Sequence, residues 1–329
     1  MGLFITNRTP PPPPAPGSGP SVPLRTLAFK ALGTDCKVLY VCSGDEQAAA
    51  FEKAATAWVA AFEARYSHFR PDSQLSAINR RAGGDWTPVD AEMEQMLRLA
   101  GALHTFSGGI LDATALPLLA LWDYKRSHAD LPSESEIEAA RRLVGWSKVQ
   151  LEPGRVRLPL EGMALDFGGF GKEWAVDVVT EIARQQGISA ALVDFGHDLR
   201  VLGIPPGRPS WYVGLEDPNK PGSAVGSIAT PAGKGIASSG DYVRHFVHEG
   251  RRYGHILDPR TGRPVANGCL QATVIADTCL RAGALSTTAF VLGPVEGIRF
   301  IQTVSGAEGV ILTADARAQT RGFWNYLVD

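Results

Sequence analysis

The chain has no uninterrupted apolar run near the roughly 18 residues that a membrane-spanning helix needs. Nor does it carry an excess of charge: 32 Lys and Arg stand against 34 Asp and Glu, a net charge of −2. Nothing global therefore points to nucleic acid or to an anionic membrane surface. Cysteine is scarce, with 4 in 329 residues. Cys36, Cys42, Cys269 and Cys279 follow neither a zinc nor a redox spacing, and we expect structural thiols. The N-terminus has a short apolar stretch but no long apolar region and no small-residue cleavage site, so a cytoplasmic protein is expected. There is no internal repeat, no Walker loop and no G-x-G-x-x-G fingerprint, which removes the two best-known nucleotide motifs.

Hydrophobic residues make up 44% of the chain and charged residues 20%, which suits a soluble domain with a substantial core. The proline run and Gly-Ser-Gly between Pro10 and Pro23 cannot bury a core. We divide the chain into a disordered tail, residues 1–25, and one domain, residues 26–329. Strands are expected at Leu27–Ala31, Cys36–Val41, Val149–Leu151, Val156–Leu158, from Ala190, and at Trp211–Leu215, Ala272–Ala276, Val310–Thr313 and Gly322–Leu327. Helices are expected after caps at Asp45, at Asp72 or Ser73, at Asp90, and at Asp277 or Thr278, and another starts within Pro132–Glu136 and runs through Leu143. Many strand neighbours are joined by hairpins, which favours an α+β fold over a doubly wound parallel sheet.

The stretch Ala164–Asp177, A-L-D-F-G-G-F-G-K-E-W-A-V-D, organises the rest. Met163–Leu165 reads as the end of a strand, and a helical pattern begins at Trp174. Between them, Gly168, Gly169 and Gly171 let backbone N–H groups approach an anion, a helix start adds partial positive charge, and Lys172 adds a full one. A plain glycine-rich turn is the alternative. Phe69, in Y-S-H-F-R-P-D-S-Q-L-S-A-I-N, is either core or a platform for a planar ring. Asp112, in S-G-G-I-L-D-A-T, can bind ribose or a base edge, or simply cap a helix. His255, Asp258, Thr261 and Gly262 crowd one Pro/Gly-bounded loop, with Ser238, Ser239 and Tyr242 on the preceding strand.

Taken together, these blocks resemble the ApbE-type FAD:protein FMN transferases over about Leu32 to Gly293. The shared blocks are L-G-T near residue 32, S-x-F-x-P-D-S-x-L-x-x-I-N, S-G-G-x-x-D-x-T-x-x-P-L-x-x-L-W, D-x-G-G-x-x-K, L-V-x-x-G-x-D, A-x-S-G-D-Y-x-R with H-I-x-D-P-x-T-G-x-P, and A-L-S-T-x-A-F-V-L-G. The resemblance implies a two-lobed α+β domain, related to the T-fold, with mixed or antiparallel sheets and FAD between the lobes. It implies transfer of FMN from FAD to a Thr or Ser hydroxyl of a target flavoprotein, with Mg²⁺ on the pyrophosphate and AMP released. Residue by residue, it implies that Leu32 and Phe69 flank the flavin. Ile110, Leu111 and Asp112 meet the nucleotide, with Asp112 as polar anchor, and Asp166, Lys172, His255 and Leu257 contact FAD. His255 and Asp258 form the catalytic loop, and Gly169, Ser286 and Thr287 form the metal site.

Three positions depart from the family pattern. A-D-A-L-S-T is A-G-A-L-S-T here, so the metal-binding aspartate is Gly283; K-G is Lys172-Glu173; and G-G-D is Gly196-His197-Asp198. These departures motivate an alternative: a catalytically degenerate relative that serves as a flavin-binding or structural subunit of a larger complex, with a stable partner.

Overall fold

The computed structural model describes residues 3–5, 23–125, 130–220 and 222–328. The proline run expected as a tail lies outside them except for Pro23, but Leu3–Ile5 (β1) forms a strand within the stretch assigned to the tail. The main body opens with a hairpin, Arg25–Ala31 (β2) and Thr34–Val41 (β3). Its turn holds Leu32 and Gly33, with φ of 54° and 69°. Helix Asp45–Tyr66 (α1) buries Phe51, Ala55, Val59 and Phe62 along one stripe. Asp45 is its first residue and not its cap; Gly44 holds that place, and the Asp45 carboxylate turns to Arg25.

Three helices begin where the sequence placed them. Ser73 accepts from Ser76 N at the start of Gln74–Arg80 (α2). After Thr87–Pro88 (β4), Asp90 accepts from Met93 N at the start of Ala91–Phe106 (α3). Beyond Leu116–Leu121 (α4), Ser133 and Glu136 form a capping box on Glu134–Arg142 (α5). The hairpin Gln150–Glu152 (β5) and Arg155–Arg157 (β6) takes β4 as a third strand. Helix Gly171–Gln185 (α6) leads into Ala190–Phe195 (β7), Asp198–Leu202 (β8), Trp211–Glu216 (β9), Ala224–Thr230 (β10) and Gly235–Gly240 (β11). Two small hairpins come next, His245–His248 (β12) with Arg251–Gly254 (β13), and Leu257–Asp258 (β14) with Arg263–Pro264 (β15). Gln271–Ala276 (β16) precedes Cys279–Leu292 (α7), which Thr278 caps through Arg281 N. The chain closes with Pro294–Gln302 (α8), Glu308–Leu312 (β17), Arg317–Gln319 (β18) and Leu327–Val328 (β19). The strand expected over Gly322–Leu327 is instead a 3-10 helix, Arg321–Tyr326, which buries Phe323.

The fold is α+β. An eight-stranded sheet runs β18-β17-β16-β11-β8-β7-β3-β2, and its pairings are antiparallel. Alternating side chains serve its two faces. Val38, Tyr40, Val193 and Phe195 pack on α1 and α6 with Phe51, Val59, Val176 and Val179. Leu39, Val41 and Leu192 pack on the opposite side against Trp211, Val213, Ile228 and Phe323. Burial on both faces is why β7 reads as a continuous apolar run. A separate core joins the end of α1 to α2, α3, β6 and the segment Met163–Phe170, through Phe62, Leu75, Met93, Leu97, Leu165 and Phe167. The glycine loop thus bridges two cores, with Phe167 and Phe170 in one and Ala175 and Val176 in the other. All four cysteines are free and buried, as expected of structural thiols. Among the described residues no helix is long and apolar enough to cross a membrane.

Candidate active site

Met163–Leu165 belongs to no strand. Its partner is a side chain: Leu165 N donates to Asn79 Oδ1 at 2.7 Å, and Asn79 Nδ2 donates to the Leu165 carbonyl at 2.9 Å. One amide therefore substitutes for a neighbouring strand. Helix α6 begins at Gly171, earlier than the apolar pattern from Trp174 indicated. The loop between is tied down at Asp166. Its N–H donates to the Ala113 carbonyl at 2.8 Å, and its Oδ1 accepts from Gly168 N at 2.8 Å and from His68 Nδ1 at 3.0 Å. A Cβ at Gly168 would sit 3.0 Å from Asp166 Oδ2, whereas one at Gly169 would meet nothing within 4 Å. The space beside the Gly169 Cα is therefore open.

Phe69 is 79% exposed, which excludes the core reading. The His68 ring lies 3.8 Å from it, and the Lys125 ammonium stands 5.9 Å from the ring centres of both Phe69 and Tyr124. The Tyr124 ring in turn meets His255 edge-on at 6.0 Å. A row of planar and cationic groups therefore runs from Phe69 to His255. Leu32, with its left-handed φ of 54°, donates its N–H to Glu63 Oε1 at 2.8 Å.

The start of α6 meets α7, β8 and β11. Lys172 forms an ion pair with Asp198, whose Oδ1 accepts from Ser238 N at 3.2 Å. Glu173 is buried, burial pushes its carboxyl above the usual range, and its Oε2 has no hydrogen-bond partner. Its stem fills the space beside Gly283, where a Cβ would stand 2.6 Å from Glu173 Cγ. One turn further along α7, Ser286 Oγ and Thr287 Oγ1 lie 2.9 Å and 2.8 Å from Ser239 Oγ, so three hydroxyls form one cluster. Asp177 locks the two helices together, accepting from Cys279 N and Leu280 N at 2.9 Å each and pairing with Arg200 at 3.1 Å. The third departure is accommodated by the backbone. Gly196 and His197 turn with φ of 61° and 71°, and His197 N donates to Asp194 Oδ1 at 2.7 Å. Among the described residues no group of three or more His, Cys, Asp or Glu is arranged to hold a metal ion.

His255 Nδ1 stands 3.1 Å from the Arg244 carbonyl. A carbonyl only accepts, so Nδ1 carries the proton and Nε2 presents a lone pair. Burial, aided by the Arg244 charge, pushes this imidazole down to about 4. Asp258 does not reach it. The Asp258 carboxylate accepts from Arg260 Nε at 2.9 Å, Nη2 at 2.8 Å and backbone N at 3.0 Å, while its carbonyl accepts from Gly262 N at 2.8 Å. Asp258 therefore shapes the loop that carries His255, and closeness in sequence does not make a His–Asp dyad. Leu257 is buried with Leu118 and Trp122.

Asp112, expected to anchor the nucleotide, has its carboxylate engaged within the protein. It accepts from Thr114 N at 2.8 Å, Thr114 Oγ1 at 2.6 Å and Trp146 N at 3.0 Å, and lies 3.2 Å from His104 Nδ1. Ile110 and Leu111 are buried beside it. This block supports the glycine loop through the Ala113 carbonyl. Asp112 also edges a cavity of about 370 Å³, lined by His104, Arg141, Arg142, Lys148 and Arg260. Sequence reasoning missed Asn79, His68, Tyr124 and Lys125 as parts of the site. The first two stood within the block containing Phe69, whereas Tyr124 and Lys125 carried no signal of their own.

A family model described as the ApbE family matches residues 32–311. A FAD:protein FMN transferase of Vibrio cholerae is 31% identical over 234 residues, covering 70% of this chain and 70% of that one. One of Haemophilus influenzae is 28% identical over 301 residues, covering 88% and 87%. Among solved structures, the ApbE protein of Thermotoga maritima superposes with a TM-score of 0.84 at 29% identity, covering 93% of this chain and 100% of that one. The flavinyl transferase ApbE of Pseudomonas stutzeri, in its apo form, gives 0.78 at 28% identity, covering 91% and 94%.

Proposed function

The chain belongs to the ApbE family, and from that premise we propose that it is a FAD:protein FMN transferase. Its substrate is FAD, and its acceptor is a Thr or Ser hydroxyl of a target flavoprotein. The hydroxyl oxygen forms a bond to the phosphorus on the FMN side of the pyrophosphate. The bond from that phosphorus to the bridging oxygen breaks, and AMP leaves with the electron pair. The hydroxyl proton passes to a base. His255 Nε2 fits that role because the Arg244 carbonyl holds the proton on Nδ1. The nearby phosphates of a bound FAD would favour the imidazolium and so raise the depressed basicity of His255.

The observation that carries this reading is the glycine loop. It is pinned at Asp166 and bridged between two cores, with open space beside the Gly169 Cα and Lys172 at the helix start. That arrangement suits a pyrophosphate. Phe69 at the exposed rim suits an isoalloxazine ring, with Leu32 on its other side. The Gly169 carbonyl and the Ser286 and Thr287 hydroxyls are hard oxygen donors, which fits Mg²⁺. The ion would neutralise the pyrophosphate and stabilise departing AMP. Asp258 acts through the loop it holds, and Ile110, Leu111, Asp112 and Leu257 form the scaffold behind the nucleotide.

The test is intact-mass spectrometry of a flavoprotein acceptor incubated with the protein, FAD and Mg²⁺. The expected result is addition of one FMN to a Thr or Ser, with AMP released in equal amount. An acceptor that gains no FMN while FAD stays intact would overturn the proposal.

A further inference from the structure

Two of the departures from the family pattern meet in space. Glu173, in the first turn of α6, faces Gly283 on α7 so closely that a Cβ at 283 would lie 2.6 Å from its Cγ and 3.1 Å from its Oε1. An acidic side chain growing from position 283 would begin in the volume that the Glu173 stem fills. Only one of the two positions can carry it. Here the acid is on α6, and α7 makes room with glycine.

The carboxylate placed there is unfinished. Oε2 is buried and unpartnered. Lys172 lies 3.9 Å from Oε1, outside hydrogen-bond range, and its ammonium is engaged by Asp198. Buried carboxylates are ordinarily paired, hydrogen-bonded or bound to a cation. The hydroxyls nearest along α7 are those of Ser286 and Thr287. Thr287 follows Gly283 by one turn on the same face of α7, and helical side chains lean toward the N-terminus, so its hydroxyl leans over Gly283. Ser239 holds the Thr287 and Ser286 hydroxyls from the neighbouring strand.

We propose that Glu173 supplies the carboxylate of a divalent-cation site shared with Thr287, so that the acid missing from position 283 is delivered from the opposite helix. This rests on the transferase reading for the role of the cation, though not for its binding. Glu173 and Gly283 are thus one paired exchange, and the site keeps a hard anionic ligand.

The test is Mn²⁺ titration followed by the electron paramagnetic resonance signal of the free ion. It is run on the full chain with FAD present, while FAD binding without metal is read separately by flavin fluorescence. Glu173→Gln keeps shape and removes charge, so it should fold, with a melting temperature without cation no lower than that of the unmodified protein. It should bind Mn²⁺ at least about 10-fold more weakly, a loss of about 1.4 kcal/mol, with FAD fluorescence quenching unchanged. The exchange Glu173→Gly with Gly283→Asp should restore Mn²⁺ binding. Gly283→Asp alone should melt lower than that double variant, since it forces two side chains into one volume. Mn²⁺ affinity that is unaltered in Glu173→Gln, or an unmodified protein that binds no Mn²⁺, overturns the inference. Unquenched flavin overturns the transferase reading and leaves the Mn²⁺ result to decide this one.

Discussion

The site has two banks of opposite character. The inner bank, where α6, α7, β8 and β11 converge, is buried and cross-linked: Lys172 with Asp198, Asp177 with the start of α7, and Ser239 with Ser286 and Thr287. The outer bank, from Phe69 through Lys125 and Tyr124 to His255, is held by ring contacts, and Phe69 is largely in solvent. The difference teaches where binding and recognition divide. A charged pyrophosphate and its cation need donors fixed before binding, because reorienting buried dipoles during reaction is costly. A flavin ring and an incoming protein hydroxyl need an accessible rim.

Lys172→Met on the inner bank has the largest expected effect. It leaves Asp198 buried without its cation, and we expect a loss of about 3–5 kcal/mol in unfolding free energy. Denaturant unfolding would measure it, and pairing the change with Asp198→Leu should recover part of the loss. His255→Ala should act oppositely, with little change in stability but transfer slowed by about 10²–10⁴-fold. Single-turnover AMP release would measure that, with FAD binding retained. Phe69→Ala should weaken FAD by about 0.5–1.5 kcal/mol and leave the melting temperature unchanged, as read by calorimetry and thermal melts.

The smallest effect is in pH dependence. In the free protein His255 titrates near 4 against 6.5 for an ordinary imidazole. A depressed histidine contributes stability above 6.5 that is lost as pH falls toward 4. Its neutral form also persists through that window, so kcat/KM should not fall until pH drops below about 5. An acid limb centred at 6.5, abolished in the His255→Gln variant, would contradict a buried imidazole.

Local rules carried much of the fold. Ser73, Asp90, Ser133 and Thr278 cap the helices they precede, because a cap depends on a few neighbouring residues. Asp45 misled because its partner is Arg25, on another element. Met163–Leu165 has the apolar pattern of a strand, yet the Leu165 backbone bonds to the Asn79 side chain, a choice made by tertiary structure. Gly322–Leu327 is aromatic enough for a strand, yet most of it is a 3-10 helix that drives Phe323 into the core. At the candidate site, the glycine loop, Lys172 and His255 stand out in the sequence because their residue types are chemically specific. Asp258 was legible as a loop residue and not as a partner for His255, since Arg260 claims its carboxylate. Glu173 and Gly283 read as two separate defects in the chain and become one contact only in space.

The most direct measurement is calorimetric titration of FAD into the purified protein, with and without millimolar Mg²⁺. We predict binding in both conditions, tighter with Mg²⁺, because the glycine loop is already formed and the proposed cation site draws on Glu173 and Thr287. Absence of binding in both conditions would contradict the account and point to a protein that keeps this fold as a structural subunit.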